Sequence, residues 1–182
     1  MRKAQSKKEF ETQKKAYYDK VLENPMPMIP CSGGSLASLG RIVRQVKQPV
    51  PDRTIGIYSN ISYFEAINRI ATDLVFWQGV EKILLNLKWE NISSIEYCLG
   101  NENEPGHGDF CIHKNNHVDL EGEVFFVSQS FFYEKLRRTI KNPKWENNAN
   151  LKYVIFNEEA VKDIDRLRRR NSDLEFVPEN IV

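Results

Sequence analysis

Asp109, Glu121 and Glu123 lie in two short runs, Asp109 to His113 and Val118 to Val127, whose residues alternate between apolar and polar. In a β-strand, side chains point to opposite faces with period two. If Phe110 and Ile112 share a core face with Val118, Leu120 and Val124, the numbers of paired residues must add to an even sum. That register predicts a hairpin turn of odd length. It also sets Asp109 on the opposite face, across from Glu121 or Glu123, with both glutamates beside it. Carboxylates held within contact distance raise one another's pKa unless a proton or a cation intervenes. A hard divalent ion relieves the repulsion. Mg²⁺ and Mn²⁺ prefer oxygen donors and are often held by one or two carboxylates together with waters and substrate phosphates. Such an ion orients a phosphodiester and lowers the pKa of a bound water.

Other constellations are weaker. His107, His113 and His117 cluster with Cys98 and Cys111, and the His113/His117 spacing matches half of a zinc-finger pattern whose second half is missing. The three cysteines have no CxxC spacing and read as reduced thiols. His113 and His117 are expected to flank a turn, with His107 beside the acids. Ser32, Gly33, Gly34 and Ser35 follow Pro25, Pro27 and Pro30 and read as a turn, since no strand precedes them to support a phosphate loop. No Ser or Cys with a positioned base is apparent.

The elements around the acids predict an α/β fold with a mixed sheet. Arg2 to Asn24 is dominated by charged residues and Gln and reads as a solvated helix; Pro25 to Asp52 reads as an arm, with a short basic helix over Leu39 to Val46. Ser62-x-x-Glu65 has the form of a capping box. It opens a long helix to about Lys88, with Phe64, Ile67, Ile70, Leu74 and Trp77 at helical spacing. Three strands follow, Ile92 to Leu99, Asp109 to His113 and Val118 to Val127. Ser130 is expected to cap a basic helix ending at Asn142; Tyr153 to Phe156 reads as a buried strand, and Asn157 as the cap of a last helix through Arg169. One core domain is expected, over residues 60–182, preceded by a charged helix and Pro/Gly-rich arm over residues 1–59.

Twenty-six Lys and Arg against 25 Asp and Glu leave a net charge of +1, so any polyanionic partner must meet a local patch. No apolar run approaches the roughly 20 residues that cross a bilayer, and the Lys-rich start has no apolar stretch behind it, so no membrane partner and a soluble, cytoplasmic protein are expected.

Helix, three antiparallel strands, helix, strand resembles the core order of the PD-(D/E)xK nuclease superfamily, which includes many restriction endonucleases; the resemblance covers about Ser62 to Phe156. In that family an Asp opens the second strand and a (D/E)-x-K tripeptide lies on the third. Asp109 and the run Glu121, Gly122, Glu123 match those positions. Glu123 stands where the family usually has lysine, an E-x-E variant, and a lysine from the following helix is another family solution, here Lys135 or Lys141. The resemblance implies metal-dependent cleavage of DNA, in restriction or phage defence, with Mg²⁺ or Mn²⁺ held by Asp109 and Glu121 and Glu123 ligating the ion or positioning the attacking water. Asp73 matches the further acid that the family's first helix often contributes. Lys135, Arg137, Arg138, Lys141 and Lys144 form a basic surface able to hold phosphates. The arginines at the end of the last helix are explained by the helix dipole. The competing expectation is a non-catalytic nuclease-fold module whose arm wraps a partner subunit, with a second copy of the chain as the candidate.

Overall fold

A computed structural model describes residues 1–25, 36–87, 89–100, 108–115, 117–141 and 149–181. Ser32 to Ser35, His107, Asn142 and Lys144 lie outside these residues. The described chain divides into two compact units, Thr12–Ile70 and a larger one of Met1–Glu11 with Ala71–Val182.

The larger unit is built on a six-stranded mixed sheet. In chain order its strands are β1 (Arg2–Ala4), β4 (Ser94–Tyr97), β5 (Phe110–Lys114), β6 (His117–Phe125), β7 (Leu151–Asn157) and β8 (Glu175–Glu179), which is also their order across the sheet. β1, β4, β5 and β6 pair antiparallel, and β7 and β8 continue parallel to β6. The switch to parallel pairing requires crossovers. They are α4 (Gln129–Ile140) and, after a 3-10 turn at Glu158–Ala160, α5 (Ile164–Arg170).

Two terminal strands depart from the sequence reading. Arg2 to Ala4 is a strand of the main sheet, not the start of the helix, which is α1 (Lys7–Glu23). Only Ala4 in that strand is buried, so three residues carry no readable alternation. Pro178 sits within β8, where an edge position tolerates the missing N–H. Two caps also differ. Helix α4 starts after Ser128 rather than Ser130. Asn157 makes no capping bond; it clamps the crossover by accepting from Val127 N (2.9 Å) and donating to Val127 O (3.1 Å), and Asp163 caps α5 by accepting from Arg166 N at 2.8 Å.

Alternation sorts the sheet into two covered faces. Tyr97, Phe110, Leu120, Val124 and Ile155 point to the face covered by α3 (Tyr63–Asn86), where Phe76 lies 5.0 Å from Tyr97 and 6.1 Å from Phe110 between ring centroids. Phe10 of α1 closes this core over Trp77 at 5.1 Å. A side chain at Gly79 would meet Ile155 Cγ2 at 2.2 Å, so the glycine lets helix and sheet approach closely. On the other face Phe125, Val154, Phe156 and Phe176 pack with Phe132 and Leu136 of α4 and Leu167 of α5. Each buried aromatic or aliphatic side chain contributes about 1.5–3 kcal/mol.

The smaller unit contains α2 (Leu36–Lys47), the two-stranded ribbon β2 (Thr54–Ile55) and β3 (Tyr58–Ser59), and the first part of α3. Ser62 Oγ accepts from Glu65 N at 3.1 Å, which is the predicted cap. Phe64 and Ile67, placed on the buried stripe by their spacing, are instead exposed. Among the described residues no helix is long and apolar enough to cross a membrane.

Candidate active site

Near the acids, β5 and β6 pair in the expected even register, with Phe110 opposite Gly122, Cys111 opposite Glu121 and Ile112 opposite Leu120. The odd-length turn is not found. A bulge between Ile112 and His113 shifts the register, so that Lys114 pairs with His117 and only two residues separate them, with Asn115 in the left-handed region at φ 50°. The even register still sets Asp109, Cys111, Glu121 and Glu123 on the face that carries Phe125, opposite to Phe110.

Past Phe110 the ladder is completed by side chains. Asp109 Oδ2 accepts from Val124 N at 2.7 Å, and Glu121 Oε1 accepts from Gly108 N at 2.7 Å. Each acid therefore reaches across to the other strand's backbone, and the two bonds fix both carboxylates. Glu121 is buried, and Asp109 is half-buried with its carboxyl as the enclosed part. Burial raises the Asp109 pKa; the Val124 amide and the Lys135 charge pull the other way without cancelling it.

Lys135 comes from α4. Its ammonium lies 4.6 Å from the Phe125 ring centroid and, with Arg138, Phe131 and Glu123, lines a cavity of about 490 Å³. Helix geometry produces this placement, because Phe132, Leu136 and Thr139 face the core and Phe131, Lys135 and Arg138 fall along one flank. Arg137 and Lys141 fall on the other flank, facing α5. Among the described residues the basic surface thus separates into two groups, and of its cations Lys135 and Arg138 accompany Glu123.

Asp73 occupies a different setting. It is 1% exposed on α3, the helix over the Phe110 face, and its Oδ1 accepts from Gly100 N at 2.9 Å, where Gly100 has φ 61°. It fastens the turn after β4. His113 Nε2 lies 3.4 Å from Glu96, whose pKa is lowered first by its bond to Lys3, and His117 is exposed beside the turn. The Cys111 thiol is pushed up to about 12, by burial first and then by the charge of Glu121, so with no cation beside it the thiol keeps its proton at neutral pH.

These facts test the donor set for a metal. The donors that the two strands fix here are carboxylate oxygens, which suit a hard ion such as Mg²⁺ or Mn²⁺. Among the described residues no three His, Cys, Asp or Glu gather as a set that could hold an ion. An ion held by two carboxylates would need water and phosphate oxygens to complete its shell.

The raised Asp109 pKa makes a prediction. A carboxyl whose folded pKa exceeds its unfolded value contributes stability that is full below the unfolded pKa and is lost as pH rises through the folded one. Asp109→Asn keeps an acceptor for Val124 N and removes the buried charge. Its stability relative to wild type should grow with pH across that window, by about 1.4 kcal/mol for each pH unit separating the two pKa values. Urea unfolding at a series of pH values measures this; a difference that ignores pH would contradict it.

No protein family matches this chain, and no curated protein or solved structure matches it.

Proposed function

We propose that the chain hydrolyses DNA phosphodiesters with a divalent metal, as a restriction-endonuclease-like protein of the E-x-E kind. One observation carries the reading: Lys135 lines one cavity with Glu123 and its charge acts on the carboxyl of Asp109, so an acid pair and a cation from the following helix meet on one face. The strand and helix order supports it, and Lys135 supplies the positive charge that Glu123 does not.

Asp109 and Glu121 would hold the ion. When bound, the ion supplies a water of lowered pKa and neutralises charge on the phosphate. Glu123 takes the proton of the attacking water. As oxygen adds to phosphorus, the Lys135 ammonium stabilises charge on the non-bridging oxygens, and Arg138 steadies the neighbouring phosphate. The ester bond to the leaving oxygen breaks, and that alkoxide takes a proton from solvent, leaving a phosphate monoester and a free hydroxyl.

Mn²⁺ titrated against thermal stability tests the metal step. An ion that binds only the folded chain adds about 2.7 kcal/mol at a hundred times its Kd, which for a chain of this size raises Tm by roughly 5–10 °C. The rise should vanish in Glu121→Gln, and circular DNA should be cut only when Mg²⁺ or Mn²⁺ is present. Folded wild-type protein that shows neither a Tm rise nor cutting would end the proposal.

A further inference from the structure

A second basic site lies apart from the acids. Helices α4 and α5 enclose a groove of about 300 Å³ lined by Tyr133, Arg137 and Lys141 from α4 and Arg166 and Arg170 from α5, with Ile140 at its edge. Among the described residues no carboxylate lines it. The spacing explains the convergence. Tyr133, Arg137 and Lys141 recur every four residues on one helix and Arg166 and Arg170 on the other, so each set forms a row along its helix.

The helix dipole accounts for Arg137, Lys141 and Arg170, which lie at helix C-termini, but not for Arg166. A cation is favoured at a helix C-terminus, but Arg166 stands in the first turn of α5, directly above the Asp163 cap, where the dipole favours an acid. Nor are the cations neutralised within their helices. Glu134 pairs with Arg138, and Asp165 with Arg168, both outside the groove. Among the described residues Arg137, Lys141, Arg166 and Arg170 make no ion pair. Four like charges around one groove repel, and a polyanion along it relieves that cost.

Tyr133 narrows the choice of polyanion. Tyr133 is 53% exposed at the groove, and its ring stands edge-on to that of Phe132 at 5.5 Å. A rigid, exposed aromatic among arginines offers a stacking surface to a flat ring. The bases of a duplex are stacked on one another and offer no such face, whereas an unpaired base does.

From these features we infer that the α4–α5 groove binds single-stranded nucleic acid, with the arginines and Lys141 on the phosphates and Tyr133 stacked on a base. The groove is separate from the acid site, so its binding can be read with no metal and no cleavage.

The experiment is fluorescence anisotropy of labelled oligo-dT and oligo-U against the full chain in EDTA, with a duplex of equal length as the comparison. Either single strand should bind more tightly than the duplex. Tyr133→Leu should weaken single-strand binding roughly tenfold and leave the salt dependence unchanged, as expected for a lost stack. Arg137→Ser with Arg166→Ser should lower the salt slope by about 0.7 for each phosphate contact removed. All these positions are at the surface, and thermal melts confirm that the variants fold. The inference is overturned if the duplex binds as tightly as the single strand, if the variants bind like wild type, or if poly-glutamate or anionic vesicles displace the oligomer at equal charge concentration. Loss of this binding would leave the metal-dependent Tm rise untouched, and the converse also holds, so the two proposals fail separately.

Discussion

Lys135→Met is expected to bind Mn²⁺, melt normally and lose DNA cleavage by roughly 10²- to 10⁴-fold, the range that one positioned proton-transfer or charge-stabilising group contributes. The fold should survive because Lys135 is an exposed position on α4, and methionine keeps a side chain of similar length beside the Phe125 ring. Asp109 should change with it: without the ammonium charge that offsets burial, its pKa rises further. Lys141→Met is the matched control. Lys141 lies on the other flank of α4, so its loss should raise KM and leave kcat in place. Single-turnover cleavage and a metal-induced Tm shift, measured on the same preparations, separate chemistry from binding. A Lys135→Met protein that cuts at the wild-type rate would remove Lys135 from the chemistry.

Gly122→Ala should be among the most destabilising single-methyl additions in the chain. An added Cβ would stand 2.2 Å from two carbons of the Phe110 ring, which is itself enclosed by α3 and the sheet. Overpacking of this kind costs about 1–3 kcal/mol, and more where neither partner can yield. Phe110→Ala alone should cost about 3–5 kcal/mol through the cavity it leaves. In the double variant the new methyl occupies space that the ring vacated, so the combined loss should fall short of the sum. Chemical denaturation of the four proteins gives the coupling, and strict additivity would show that the ring and the glycine do not meet. Because Gly122 separates Glu121 from Glu123, the single variant should also disturb the site.

The middle of the fold was readable because it obeys simple periods. Alternation in the two runs around Asp109 and Glu121 gave the strand faces, and the Ser62 cap marked the start of α3. The failures have physical causes. A bulge is set by backbone geometry at one residue and leaves no mark on alternation over so short a strand. Strand β1 has one inward side chain, and β8 is a short edge strand that carries Pro178. At the site, sequence placed the acids on one face but not the bonds that fix them, since Gly108 N and Val124 N are backbone donors that any residue would carry. Asp73 stands out in sequence because a buried acid needs polar partners, and the amide of Gly100, which no side-chain pattern marks, is one of them. The arginines of α5 were assigned to the helix dipole because their neighbours on α4 come from a distant part of the sequence; only packing brings the two rows together.

The bulge between Ile112 and His113 divides the hairpin into two halves with different obligations. The half toward Asp109 cannot slip by a residue without turning its carboxylates into the core. The half toward Asn115 has already absorbed one such offset, so a residue inserted or deleted at the tip is taken up locally, by relaxing or deepening the kink. The tip can therefore change in length while the acids at the other end keep their positions.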